Sequence, residues 1–286
     1  MGRFAPSPTG PLHLGSLLAA LGSYLEARHH GGRWLLRMED LDPRRTIPGC
    51  ADVMLRTLES FGLEWDGPIE YQSRRTELYT AALSLLSAQG LTFECSCSRR
   101  EHAGMEESAY PGTCRRGPTR AGPTAIRFRV ADTPSIEFED GIQGRCSFCL
   151  GRLGDVILRR RDGFHAYQLA VVVDDAAQNV THIVRGADLL PSTAWQIALR
   201  SALGLPQPLH AHLPLVVEPD GSKLAKSRRS VPLEPARARA LMEQALDLLQ
   251  HRPPPELSGA PAQTLLAWAV AHWDVSKLRG MTTLRP

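Results

Sequence analysis

Between a short apolar run at Gly2 to Ala5 and an apolar helix predicted from about Gly15 to Arg28, the chain carries Pro6, Pro8, Gly10 and Pro11. Proline has no backbone N–H to give a ladder or a helix interior, and glycine has no side chain. The connection is therefore stiff and bare, and neither flanking element can run through it. Strand and helix patterns go on alternating through the first ninety or so residues: "RWLLRME" at Arg33 to Glu39 reads as a strand, and helices are predicted near Ala51 to Phe61 and Arg74 to Gln89. Alternation of this kind predicts βαβ units on a parallel sheet. A helix starting at the carboxyl edge of such a sheet presents free N–H groups and a positive dipole end, where phosphates bind. His13 is placed to donate to a phosphate oxygen, and Gly15 would let a flat ring or a phosphate approach the backbone closely. A plain strand-to-helix turn with a capping polar residue fits the same pattern.

Between Thr92 and Arg120 the alternation gives way to Cys, Gly, Pro and charge, which reads as an inserted irregular module. Strands are predicted at Ala125 to Val130 and Asp155 to Arg161. The α/β pattern resumes with "THIVRGADLL", a helix from about Ser192 to Leu203 and a strand at His212 to Glu218. From Glu234 the chain reads as two helical stretches split by "RPPPELSGAP". A formal charge of +3 is too weak to announce a nucleic-acid partner. The start of the chain lacks the basic and apolar regions of a leader, and no apolar run reaches the ~18 residues of a membrane span. The expectation is a cytoplasmic protein without a membrane partner. The cysteines Cys50, Cys95, Cys97, Cys114, Cys146 and Cys149 then read as thiols or metal ligands sooner than disulfides.

"SPTGPLHLGS" near the start and "SKLAKS" far downstream resemble the ordered HIGH and KMSKS signature pair of class I aminoacyl-tRNA synthetases. "RMEDLDPRR", "LEWDGP", "YQSRR" and "IVRGADLL" are similar to the glutamyl branch of that family, and the likeness runs from Arg3 to about Ser230. The resemblance implies a Rossmann-like catalytic domain that activates a carboxylate with ATP and Mg2+ and transfers it to tRNA. In that frame His13, Gly15, Ser16, Lys223 and Lys226 belong to the ATP site, with His13 and Lys226 catalytic. Ser16 stands where the signature has its second histidine; it can donate one hydrogen bond but carries no charge. Lys226 matches the lysine that faces the α-phosphate, where charge builds as pyrophosphate leaves. Lys223 would hold the outer phosphates, while Leu224 and Ala225 depart from the signature. Arg3, Ser7, Glu39, Tyr167 and Arg185 match the family's L-glutamate pocket: arginine forks for carboxylates, Glu39 for the α-ammonium, Ser7 and Tyr167 as hydroxyl donors. Which arginine takes which carboxylate the residues leave open.

Cys95, Cys97 and Cys114 offer three thiolates in a loop that lacks a core, a situation one structural zinc ion stabilises. Chemistry alone nominates His102 as the fourth ligand; the resemblance favours Tyr110 of "YPGTC", and Cys146 and Cys149 are rival sources of thiols. The expected α/β architecture is a catalytic first half over 1–92, an inserted zinc-containing module over 93–164, a second catalytic half over 165–230 and a short helical segment over 231–286. No anticodon-binding domain is expected. This shortened form resembles the synthetases that attach glutamate to the queuosine base of tRNA(Asp), acting as a monomer. Arginine clusters at Arg99–Arg100, Arg115–Arg116, Arg159 to Arg161 and Arg228–Arg229 are candidate phosphate contacts or solvated surface runs. A shortened glutamyl-tRNA synthetase charging a 3′ end, and a non-catalytic tRNA-binding paralogue, are the alternatives.

Overall fold

The computed structural model describes residues 1–98, 101, 110–130, 135–217 and 231–285. In chain order the first half holds β1 (Gly2–Phe4), α1 (Leu14–His29), β2 (Trp34–Met38), α2 (Cys50–Ser60), β3 (Glu70–Tyr71) and α3 (Thr76–Ala88). All but β3, which the sequence reading did not anticipate, follow the expectation to within two residues or so at each end. The middle holds β4 (Thr92–Cys95), β5 (Ala125–Phe128), β6 (Ile136–Asp140), β7 (Gly144–Phe148), α4 (Leu150–Leu153) and β8 (Ile157–Arg159). Then come α5 (Tyr167–Ala177), β9 (His182–Gly186), α6 (Leu190–Ala202), β10 (Leu209–Leu213) and β11 (Leu215–Val216). The last stretch holds α7 (Ala238–Leu248), α8 (Ala262–His272) and β12 (Thr283–Leu284).

β1, β2 and β3 pair in parallel, as do β9, β10 and β6, with β7 antiparallel on the outer edge. The two sheets meet where the N–H groups of Thr181 and His182 donate to the Met1 carbonyl at 3.0 and 3.1 Å. Across the molecule the order is therefore β3, β2, β1, β9, β10, β6, β7. The strand order reverses between β1 and β9, the topological switch point at which doubly wound sheets leave a crevice beyond the strands' carboxyl ends.

Helix α1 lies beside β1 and β9. Its Leu17, Leu21 and Leu25 are buried in one apolar cluster with Trp34 and Leu36 of β2, Leu213 of β10, and Met242, Leu246 and Leu265 of α7 and α8. The C-terminal helices thus complete the core of the first half. Helices α3, α5 and α6 build a second core with Tyr79, Leu169, Val171 and Leu199. The strand expected at His212 to Glu218 is displaced toward the N-terminus: β10 begins at Leu209, and Pro214, which cannot donate to a ladder, separates it from β11.

β4, β5 and β8 form a small separate antiparallel sheet. The β6–β7 hairpin falls within 93–164 by sequence, yet β6 pairs with β10 through His210 and Asp140 and so extends the main sheet. The chain leaves the main sheet, builds a small one, returns for one hairpin and leaves again.

Candidate active site

The larger cavity, about 640 Å³, opens at the switch point. Its walls are the turn after β1 (Ser7, Thr9, Gly10), the start of α1 (His13, Gly15, Ser16) and the ends of β9 and β10 (Gly186, Leu213). His13 is the N-cap of α1, and its Nδ1 accepts the Ser16 N–H at 3.3 Å. His13 therefore caps the helix, as the plain reading of the turn expects, and it also lines the cavity. Burial lowers its pKa, so the ring is neutral near pH 7; with Nδ1 an acceptor, the proton sits on Nε2. A Cβ on Gly15 would stand 3.2 Å from the His13 ring, so glycine there leaves room for the capping imidazole. A Cβ on Gly186 would collide with Asp188 Oδ1 at 2.6 Å, which keeps that edge of the cavity bare as well. Lys223 and Lys226 lie outside the described residues, as do Arg99–Arg100, His102 and Arg228–Arg229.

A second cavity of about 190 Å³ adjoins the first, because Ser7 and Thr9 line both. Glu39, Gln72, His165 and Tyr167 form its inner wall. Burial pushes the Glu39 carboxyl up to about 7, against the opposing pull of Arg37 and Arg3. Behind the wall, two adjacent carboxylates of α5 organise the charges. Asp174 accepts from Gln72, Arg75 and the Tyr79 hydroxyl at 2.7–2.8 Å. Asp175 accepts from Arg37 at 2.8 Å and from Arg3 Nε at 3.2 Å. Sequence reasoning missed this pair; the signal was present as two consecutive acids in the apolar run "LAVVVDDAA".

Arg185, at 5% exposure, is the most constrained of the expected residues. Its Nε donates to His212 Nε2 at 3.1 Å, Nη2 donates to Thr193 Oγ1 and Gln196 Oε1 at 2.7 and 2.8 Å, and Nη1 reaches the Tyr167 hydroxyl at 3.3 Å. A guanidinium has five N–H donors, so among the described residues one N–H on Nη1 is left beside Tyr167 at the cavity wall. Arg3 and Arg185 themselves stand behind the lining. Ser7, Glu39 and Tyr167 are in it.

Away from these cavities, the Sγ atoms of Cys95, Cys97 and Cys114 lie within 4.8 Å of one another, a set that can hold a metal ion. The Tyr110 hydroxyl is 3.5 Å from Cys95 Sγ and 3.8 Å from Cys97 Sγ, and it accepts the Cys114 backbone N–H at 2.7 Å. Arg127 stacks on the Tyr110 ring at 3.9 Å and pins its orientation. Burial pushes the Cys114 thiol up, but donors from Tyr110 and from the Ser96 and Thr119 N–H groups outweigh it and bring it down to about 5. Cys146 and Cys149 stand apart: Cys146 is on β7, and neither belongs to this cluster. Several arginines nominated as phosphate contacts are occupied internally. Arg115 holds Asp155 at 2.6 Å, Arg160 holds Asp42 at 2.6 Å, and Arg161 donates to the Ser96 carbonyl.

The sequence matches the family described as tRNA synthetases class I (E and Q), catalytic domain, over residues 1–236. A switch-point cavity walled by the first helix, with a smaller charged cavity beside it, is the architecture of a class I synthetase catalytic domain, and the chain belongs to that family. Within it, the chain is 52% identical over 287 aligned residues to the Glutamyl-Q tRNA(Asp) synthetase of Pseudomonas aeruginosa strain LESB58, covering 99% of this chain and 97% of that protein. The protein of the same name from Thiobacillus denitrificans is 51% identical, covering 97% and 94%. A crystal structure of a glutamate tRNA ligase from Elizabethkingia meningosepticum, in complex with its amino acid, superposes with a TM-score of 0.80 at 26% identity, covering 99% of this chain and 66% of that one. Glutamate-tRNA synthetase from Elizabethkingia anophelis gives a TM-score of 0.82 at 26% identity, covering 99% and 67%. The chain thus spans about two thirds of the solved ligases and nearly the whole of the curated relatives. Among the described residues no helix is long and apolar enough to cross a membrane.

The cap contact can be separated from any role in the cavity. His13→Ala should lower the unfolding free energy by about 1 kcal/mol in urea denaturation, because the Ser16 N–H loses its acceptor, while His13→Asn should restore most of it. Equal stability of all three proteins would mean that the Nδ1 contact contributes nothing.

Proposed function

We propose that this protein activates L-glutamate with ATP and transfers it to the queuosine base in the anticodon of tRNA(Asp). The observation that carries this reading is 52% identity, over nearly the full length of both chains, to relatives named for that reaction, against 26% for the ligases named only for glutamate and tRNA. Two cavities that share Ser7 and Thr9 support it, since a nucleotide and an amino acid must meet at one point for their reacting groups to touch.

The larger cavity takes ATP, with the adenine near Gly15, the phosphates near the start of α1, and Mg2+ arriving with the nucleotide to neutralise phosphate charge. His13 donates Nε2–H to a phosphate oxygen, and Ser16 adds a hydroxyl. Glutamate takes the smaller cavity: Glu39 pairs with the α-ammonium, Arg3 and Arg185 draw its carboxylates from behind the lining, and Ser7 and Tyr167 supply hydroxyls. A carboxylate oxygen of glutamate attacks the α-phosphorus, the bond to the bridging oxygen breaks, and pyrophosphate leaves with that electron pair. Lys226 would balance the charge on the α-phosphate and Lys223 that on the outer phosphates. A queuosine hydroxyl then attacks the glutamyl carbonyl carbon, the bond from that carbon to the phosphate oxygen breaks, AMP leaves with the electron pair, and the hydroxyl proton passes to solvent.

One structural zinc ion fits the cysteine cluster, with Cys95, Cys97, Cys114 and Tyr110 as ligands. Three sulfurs and a phenol oxygen converge there in a segment whose apolar cluster, among the described residues, is Phe93 and these same side chains, so a metal would supply the cohesion that burial does not.

Labelled glutamate and ATP should modify tRNA(Asp) that contains queuosine, with labelling that survives removal of the 3′-terminal adenosine. Labelling that ignores queuosine and requires the adenosine would refute the base as acceptor. Because Glu39 titrates near 7 and only its ionised form pairs with an ammonium, KM for glutamate in pyrophosphate exchange should climb about tenfold in all as pH drops from about 8 to about 6, most of it below pH 7. Glu39→Gln should abolish that slope; a slope unaltered in the variant would assign the titration to another group. Purified protein should carry one zinc per chain by elemental analysis and Cys95→Ser much less, whereas full retention would remove Cys95 from the ligand set.

A further inference from the structure

His212 of β10 and Asp140 of β6 are fully buried side chains that the proposed reaction leaves without a role. Their contacts with Arg185 place the imidazole proton, and the Thr193 hydroxyl, 3.0 Å from His212 Nε2, can donate to the same nitrogen. Arginine can only donate, so Arg185 Nε, 3.1 Å from His212 Nε2, requires that nitrogen to be a bare acceptor. The imidazole proton is then on Nδ1, and 2.6 Å away Asp140 Oδ2 accepts it. The other carboxylate oxygen, Oδ1, accepts the backbone N–H groups of His212, Ile142 and Gln143 at 2.9–3.0 Å. With both oxygens used as acceptors the carboxyl is held ionised, and a second proton on His212 is opposed both by burial and by the guanidinium beside it.

We propose that Asp140 and His212 are positioning residues for the glutamate pocket: Asp140 fixes the tautomer in which His212 Nε2 accepts from Arg185, and so sets the plane of the Arg185 guanidinium. The inference rests on the assignment of Arg185 to glutamate. Thr193 and Gln196 hold Nη2 from one side, and His212 holds Nε from another. Together they aim the remaining Nη1 donor along the Tyr167 hydroxyl toward the smaller cavity. The arrangement gives the β6–β7 hairpin a function. By returning to the main sheet it delivers one carboxylate to a histidine some seventy residues further along the chain, which then orients an arginine on the neighbouring strand β9.

Asp140→Asn separates this role from packing, because it keeps shape and removes one acceptor. The three backbone N–H groups hold the amide oxygen at the Oδ1 position, so the amide NH2 faces His212 Nδ1. The ring must then carry its proton on Nε2, where it meets the Arg185 Nε–H donor to donor. In glutamate-dependent pyrophosphate exchange, KM for glutamate should rise on the order of tenfold or more while KM for ATP stays near its original value. Unchanged KM for glutamate in a folded Asp140→Asn protein would overturn the proposal, as would KM values for glutamate and ATP that rise together. Arg185→Lys distinguishes the two layers: if it leaves KM for glutamate unaltered, the pocket assignment itself fails, whereas a raised KM there beside an unaltered one in Asp140→Asn sinks only the positioning role. Should Asp140→Asn not fold, nitrogen chemical shifts of His212 in the unmodified protein decide. A protonated Nδ1 and a bare Nε2 support the assignment, and a protonated Nε2 ends it.

Discussion

Two neighbouring carboxylates, Asp174 and Asp175, both essentially without solvent contact, anchor the catalytic half of this molecule. They sit near the end of α5, and the groups that converge on them come from β1 (Arg3), β2 (Arg37), the segment after β3 (Gln72, Arg75), α3 (Tyr79) and α6 (Arg200). Buried ions of either sign are costly alone, so removing one partner would strand the others. Each arginine therefore has to reach α5 for the fold to close. Once it does, Arg37 lies 2.8 Å from Asp175 and 3.7 Å from Glu39, and Arg3 is fixed beneath the turn that carries Ser7. The charge pattern of the proposed amino-acid pocket is thus inherited from a network whose first task is structural. Glu39 shows the balance: burial and the two aspartates raise it, the two arginines lower it, and the outcome is a group poised near neutrality.

The strand order does for the nucleotide what α5 does for the amino acid. Reversal between β1 and β9 leaves the larger cavity without any residue having to be carved away, and α1 begins at its rim because prolines end the strand and permit nothing regular before Leu14. The His13 cap illustrates the economy of such a site. One ring nitrogen closes the helix and the other takes no part in the cap, so the end of α1 and the wall of the larger cavity depend on the same side chain.

Much of this was legible in the chain. The strand, turn and helix at the start were readable because proline and glycine act locally, and the thiol cluster because cysteines at Cys95, Cys97 and Cys114 have few other uses in a segment with few large apolar residues. What escaped were consequences of long-range pairing. Helix α5 was not read from "YQLAVVVDDAA", whose near-continuous apolar run is as compatible with a buried strand as with a helix. Nor did anything near Asp140 announce that its strand would lie against His210, since pairing partners leave no mark on local periodicity. Density of charge in sequence likewise could not show that Arg115, Arg160 and Arg161 each take a partner within the fold.

The same long-range logic explains how the end of the chain bears on its middle. β12 pairs with β11 through Leu284 and Val216, and the Val217 N–H donates to the Leu284 carbonyl at 3.0 Å. Gln143, in the β6–β7 turn, donates to the carbonyls of both His212 and Met281, and the Gly280 N–H donates to the Ile142 carbonyl. Three stretches far apart in sequence are therefore tied at one point: the hairpin that supplies Asp140, the end of the strand that carries His212, and the tail. β11 leads directly into the segment containing Lys223 and Lys226. β11 is held to the tail through β12 and joined to β10 through Pro214, so the second half of the main sheet is tied at its carboxyl edge to residues that the sequence shows only as a short helical segment.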